Sequence, residues 1–280
     1  MGGVLMIISI LVSALLWCNL NNGYVWIVLF TMLSFGLIGF IDDYFKVVHG
    51  NAYRGLSAKL RLVLQVILSG FACYGIYSLM PNEFKTAITI PFFKNILWDI
   101  GILYFIFVAF VIVGTSNAVN LTDGIDGLAS MITISSFVVF LIVSYLVGRA
   151  DFSLYLFLPY IPGTGEITVL IGSLIGTILG FLWFNAYPAK IFMGDGGSQT
   201  LGFVLSVLPL LSSKGSISTI SILYAAAVLM IPIFDTIAAI WRRLREHRSI
   251  GSPDITGCFL LHGNGFALSE GCPEISRRCF

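Results

Sequence analysis

Long apolar runs alternate with short polar breaks along this chain, and the run lengths set the first expectation. A helix crosses a bilayer with about 20 mostly apolar residues. Eight stretches qualify approximately: 2–20, 24–41, 60–79, 99–120, 129–148, 167–184, 199–212 and 217–240, the seventh being short. The segment 152–162 (FSLYLFLPYIP) is apolar but too short to cross, and Pro159 and Pro162 break it, so it reads as interfacial or re-entrant. No internal repeat or low-complexity tract is visible. Carboxylates stand at the ends of the runs: Asp42 with Asp43, Asp123 with Asp126, Asp195, and Asp235. An ionised Asp at a membrane edge is costly unless water, a cation or a metal offsets it, so these positions call for a use.

Composition agrees with the spans. Hydrophobic residues make up 58% of the 280 and charged residues 10%, with a mean hydropathy of +0.96. Soluble domains carry roughly 25% charged residues. The fold class expected is all-α, a polytopic integral membrane helical bundle of about eight transmembrane helices. A net charge of +1 gives no reason to propose nucleic-acid binding. Cys18 and Cys73 lie in apolar runs and read as small buried thiols. Cys258, Cys272 and Cys279 lack metal-ligand spacing, so neither zinc nor a disulfide framework is expected.

Lys and Arg in short loops set orientation. With eight spans, segments 42–59, 121–128, 185–198 and the tail after 240 share one side. That side carries Lys46, Arg54, Lys59, Lys190, Arg242, Arg243, Arg245 and Arg248, with Arg61 just inside the next span. The other carries Lys85, Lys94, Arg149 and Lys214. The first side is therefore expected to be cytoplasmic, and Asp42, Asp43, Asp123, Asp126 and Asp195 fall on it. The first span has no basic leader and no small-residue cleavage site, so it is not read as a signal peptide. The protein is expected to start upstream of Met1.

Three polar constellations carry candidate chemistry. In GFIDDYFKVVHGNAYRGLSAKLRL (39–62), Asp42 and Asp43 end a span and Lys46, Arg54, Lys59 and Arg61 follow. Carboxylates suit Mg²⁺, which takes one or two of them plus phosphate oxygens, and the cations suit a phosphate-rich ligand. The plainer reading is a charge cluster that fixes topology, but acidic residues add little to topology. In SNAVNLTDGIDGLAS (116–130), Asn117, Asn120, Asp123 and Asp126 recur every three residues and would share one polar face, with Gly124 and Gly127 allowing close approach. A loop with Asx turns is the alternative. In FNAYPAKIFMGDGGSQTLG (184–202), Asn185, Lys190 and Asp195 surround a Gly-rich turn whose N–H groups could meet a phosphate. Phe192 could stack on a base or simply pack.

Together these segments resemble the polyprenyl-phosphate N-acetylhexosamine-1-phosphate transferases. The strings that carry the resemblance are MGGVLMI (1–7), GFIDDYFKVV (39–48), GLSAK (55–59), NAVNLTDGIDGLA (117–129) and FNAYPAKIFMGDGGS (184–198). The likeness spans about residues 1–253. It is nearest to the branch that makes the first lipid-linked peptidoglycan precursor. The resemblance implies a ten-helix membrane fold, dependence on Mg²⁺ and a cytoplasmic active site. It implies catalytic roles for Asp42, Asp43 and Asp195, with Asp195 and Asp123 nearest the metal. Lys46, Lys59, Asn117, Asn120, Asp123, Asp126, Asn185 and Phe192 would bind the substrates. The partners implied are a UDP-linked amino-sugar donor, undecaprenyl phosphate and the bilayer of the bacterial cytoplasmic membrane, with a homodimer as the assembly to test.

Both ends depart from the family. A helix and loop expected before Met1 are missing, and FDTIAAIWRRLREHRSIGSPD (234–254) looks more like relatives that transfer GlcNAc-1-phosphate. Residues 1–254 are read as the transferase domain. Residues 255–280 are an atypical tail, read as frameshifted or disordered, with His262 alone where the family has a histidine cluster. No histidine role passes to His247 or His262. The reaction implied is attack by a polyprenyl phosphate oxygen on the sugar-side phosphorus of a UDP-sugar, releasing UMP, in one step or through an Asp nucleophile. Its rivals are the same fold acting on UDP-GlcNAc, an ion-coupled transporter and an inactive fragment. Transporters commonly show two related halves, which are not visible here.

Overall fold

The computed structural model describes residues 2–48, 55–79, 87–89, 97–99, 101–124, 126–156, 160, 162–212 and 241. Among these residues eight helices can be followed from end to end: α1 (Gly2–Trp17), α2 (Gly23–Val48), α3 (Ala58–Leu79), α4 (Leu103–Thr122), α5 (Leu128–Val147), α6 (Ala150–Tyr155), α7 (Thr164–Asn185) and α8 (Gly194–Ser212). Five of them, α2, α3, α4, α5 and α7, are long and apolar enough to cross a membrane. The chain is an all-α polytopic membrane protein. The departure from helix among the described residues is one antiparallel strand pair between α3 and α4, β1 (Ala87–Thr89) with β2 (Leu97–Asp99), in register Ala87↔Asp99.

Seven of the eight expected spans fall on helices, and 217–240 lies outside the described residues, as do Asp235 and the tail 255–280. The apolar piece 152–162 yields only the short α6. Two helices run past their expected spans: α8 begins at Gly194 and not at 199, which places Asp195 on helix, and α2 ends later. The second span was expected to end at residue 41, whereas α2 continues to Val48 and carries Asp42, Asp43 and Lys46 on helix. Hydropathy falls at the acid pair, but Asp42 and Lys46 form an i,i+4 ion pair of 2.7 Å that supports another turn.

The long helices alternate in direction, so the ends of α2, α4 and α7 meet the starts of α1, α3, α5 and α8 at one end of the bundle. At the opposite end Asn19 N–H donates to Glu166 Oε2 (2.9 Å) and Asn22 Nδ2 to the Gly163 carbonyl (2.8 Å). The core runs along α8, whose Phe203, Val204, Leu205, Val207 and Leu208 are fully buried against mainly α2 and α4. Phe203 stacks on Phe35 with ring centroids 4.5 Å apart. Without a hydrophobic drive between helices in lipid, close approach depends on small residues. A Cβ at Gly39 would lie 2.5 Å from the Asp195 carbonyl oxygen, and one at Gly202 2.8 Å from Ser116 Cα. These two glycines bring α8 against α2 and α4.

Candidate active site

Gly39 sets how near α8 comes to the acidic end of α2, and three carboxylates meet there. Gly194 opens α8 with φ +74°, a left-handed conformation suited to glycine. The next two N–H groups, of Asp195 and Gly196, donate to Asp43 Oδ1 (3.2 Å) and Oδ2 (3.3 Å). A helix start leaves such donors unpaired and favours a negative charge, and Asp43 supplies it from another helix. Two N–H groups of the glycine-rich turn expected to meet a phosphate are thus engaged by a carboxylate.

Asp42 is 1% exposed, and its Oδ1 accepts a 2.6 Å hydrogen bond from the Leu56 N–H. Its Oδ2 is ion-paired with Lys46 Nζ at 2.7 Å and lies 3.8 Å from an Arg61 guanidinium nitrogen. Lys46 Nζ also donates to Asp195 Oδ2 (2.6 Å), and Arg61 reaches the same oxygen at 3.5 Å. Asp195 Oδ1 accepts from Asn120 Nδ2 (2.8 Å), which also contacts Ser198 Oγ (2.8 Å). Asp195 is therefore the hub, bound from α2, α3 and α4.

Asp123 lies just past the end of α4. Burial, then the negative charges of Asp195, Asp43 and Asp126, push its carboxyl up to about 8. Asp126 Oδ2 accepts from the Ala189 N–H (3.0 Å) and so pins the 185–193 loop. Asn185 is buried with both ends of its amide engaged. Its Oδ1 accepts from Gly127 N–H (3.1 Å) and Ser130 Oγ (3.3 Å), and its Nδ2 donates to the Ile191 carbonyl (3.0 Å). Asn117 Nδ2 donates to Gln65 Oε1 and to the Val113 carbonyl, both at 2.8 Å, inside the bundle. Lys59 is exposed in the first turn of α3, and Phe192 is 59% exposed on the loop before α8. Of the residues expected at the site, Asp42, Asp43, Lys46, Asn120 and Asp195 are brought together, and Asp123 lies close enough to feel two of these acids. Asn117, Asp126 and Asn185 serve neighbouring backbone and side chains, and Lys59 and Phe192 stand apart.

Sequence reading missed Gln65, Ser198 and Gln199, and did not assign Arg61 to the acid centre. A glutamine inside the apolar run 60–79 was the available signal, because polar groups within spans are costly.

The carboxylates here are hard oxygen donors, the kind a divalent cation such as Mg²⁺ takes. Lys46 and Arg61 pair with Asp42 and Asp195, Asp43 holds the start of α8, and Asp123, pushed up to about 8 mainly by burial, adds a fourth carboxylate beside Asp195 and Asp43. Among the described residues no group of three or more acids, histidines or cysteines is placed to hold a metal ion by itself. Mg²⁺ does not need one, since it keeps water and takes substrate oxygens.

Residues 25–213 match the family described as glycosyl transferase family 4. Among curated proteins, the phospho-N-acetylmuramoyl-pentapeptide-transferase of Thermodesulfovibrio yellowstonii is 47% identical over 212 residues, covering 76% of this chain and 58% of that protein. The proteins of the same name from Rickettsia felis and Rickettsia akari are each 50% identical over the same length and coverage. The chain thus spans 58% of the length of these curated relatives. A match over most of its helices, together with relatives near half identity, makes this chain a member of glycosyl transferase family 4.

Proposed function

We propose that the chain transfers phospho-N-acetylmuramoyl-pentapeptide from a UDP-linked donor to undecaprenyl phosphate at the cytoplasmic face of a bacterial membrane. The observation that carries this reading is the convergence of Lys46, Arg61 and Asn120 on Asp195, with Asp42 alongside, at one end of an apolar bundle. A lipid phosphate oxygen would form a bond to the sugar-side phosphorus. The bond from that phosphorus to the UMP oxygen would break, and UMP would leave with the electron pair. Such a transfer depends chiefly on positioning and on screening charge.

The side chains divide the work. Asp43 has both oxygens on the start of α8 and holds Asp195 in place. Asp42 Oδ2 is ion-paired with Lys46 at 2.7 Å, and it is the carboxylate oxygen to take a proton from the lipid phosphate once Lys46 turns to the substrate. Lys46 and Arg61 are the cations to meet phosphate oxygens, exchanging carboxylate partners for substrate. Asp195 and Asp123 would hold Mg²⁺, which when bound neutralises diphosphate charge and stabilises the leaving group.

The relatives' names favour the muramoyl-pentapeptide donor over UDP-GlcNAc. The test supplies each UDP-sugar with undecaprenyl phosphate to the membrane-embedded chain. UMP release and a lipid-linked product with the muramoyl-pentapeptide donor are expected. Product from UDP-GlcNAc alone would overturn the donor assignment.

The raised Asp123 carboxyl adds a pH dependence. A hard cation needs the ionised form, so below about 8 each ligand-binding event must displace a proton. Mn²⁺ affinity, read by its paramagnetic resonance signal, should rise by up to about tenfold per unit from pH 6 and level off above about pH 8. Asp123→Asn should flatten that part of the profile. An unchanged profile in this variant would remove Asp123 from the metal site.

A further inference from the structure

Arg61, Asn120 and Asp195 reach the acid centre from α3, α4 and α8, and each helix carries a second polar side chain one turn deeper in the bundle. Gln65 follows Arg61 by four residues, Asn117 precedes Asn120 by three, and Gln199 follows Asp195 by four. These three bind one another. Asn117 Nδ2 donates to Gln65 Oε1 (2.8 Å), and Gln65 Nε2 donates to Gln199 Oε1 (3.1 Å). Ser116 Oγ on α4 adds a 2.9 Å bond to the Gln199 carbonyl. Gln65 and Gln199 are both fully buried, and Gln199 Nε2 has no hydrogen-bond partner among the described residues.

An unpaired buried amide donor works against stability, and apolar side chains of similar size would fill this layer without that cost. Stability alone therefore does not explain the layer. Register does. One residue of slip along a helix axis moves a side chain 1.5 Å, enough to break the 2.8 Å contact of Asn120 with Asp195. Apolar faces tolerate such slips, whereas a directional chain of hydrogen bonds is satisfied in one alignment.

We propose that Gln65, Asn117 and Gln199 are positioning residues that hold α3, α4 and α8 in the register at which Arg61 and Asn120 meet Asp195. The catalytic consequence rests on the transferase reading above.

The test is the double variant Gln65→Met/Gln199→Met, which removes the Gln65–Gln199 pair together, while Asn117 Nδ2 keeps its bond to the Val113 carbonyl. In a background with the five native cysteines replaced by Ala, spin labels at Ser57 and Leu121, both exposed near the active-site end, report the α3–α4 distance by pulsed electron resonance. The expected result is a broadened distance distribution with a melting temperature near that of the parent. Turnover should fall about 30-fold, roughly 2 kcal/mol of barrier, while KM for the donor stays within about threefold. A parent-like distance distribution, or parent-like turnover, overturns the assignment. A parent protein that releases no UMP refutes the transferase reading instead, and the distance measurement then decides the register on its own.

Discussion

Asp195→Asn is expected to lower UMP release by about a thousandfold while leaving the bundle folded, a loss of the size seen when a preorganised electrostatic group is removed. Asp195 gathers Lys46 at 2.6 Å, Arg61 at 3.5 Å and Asn120 at 2.8 Å. The amide keeps the shape but not the charge. If its oxygen faces Lys46, its NH₂ faces the Asn120 amide, donor against donor. If the amide flips, its NH₂ meets the Lys46 ammonium. Either way Lys46 and Arg61 are left to Asp42, and a hard cation loses a ligand. The measurement is UMP release by purified protein in lipid, with thermal unfolding as the check on folding. Turnover within tenfold of the parent would take Asp195 out of the chemistry.

The second large effect is expected at a residue with no side chain. Gly194 has φ +74°, and a Cβ there would lie 2.5 Å from Asp43 Oδ2. Gly194→Ala combines a left-handed backbone penalty of roughly 1–2 kcal/mol with displacement of Asp43 from the start of α8. Turnover should drop on the order of a hundredfold, about 2.7 kcal/mol of barrier. Gly180→Ala is the control, because a Cβ at Gly180 on α7 meets nothing within 4 Å. That change should leave turnover within about twofold and favour the helix slightly. Equal losses in the two variants would show that the Asp43–α8 contact is not what matters at Gly194.

Much of this centre was legible because its signals are local. Spacing by three placed Asn117 and Asn120 on one face of α4 with Asp123 just beyond, and run lengths placed seven helices. Lys and Arg bias grouped the acids on one side, and the fold brings them to one end of the bundle. What stayed hidden is non-local. The GDGG segment looked like a free phosphate cradle because Asp43, which binds its N–H groups, lies 152 residues away in sequence. Gln65 and Gln199 are separated by 134 residues, so no window joins them. The α2 boundary was misplaced because hydropathy registers Asp42 as a break, whereas the Asp42–Lys46 pair lets the helix continue.

The placement of α8 bears on how the protein is made. This helix carries Asp195, Ser198, Gln199, Thr200 and Ser206, and it is not among the helices apolar enough to cross on their own account. Its residues from Gly196 to Pro209 are buried by their neighbours. Lipid is a poor first solvent for such a segment. During synthesis α8 emerges after α1 through α7, and those helices can already furnish a polar-lined slot for it. Completion of the acid centre and stable entry of α8 into the bilayer thus become one event, so a nascent chain that stops short of it carries α2 acids with no counterpart.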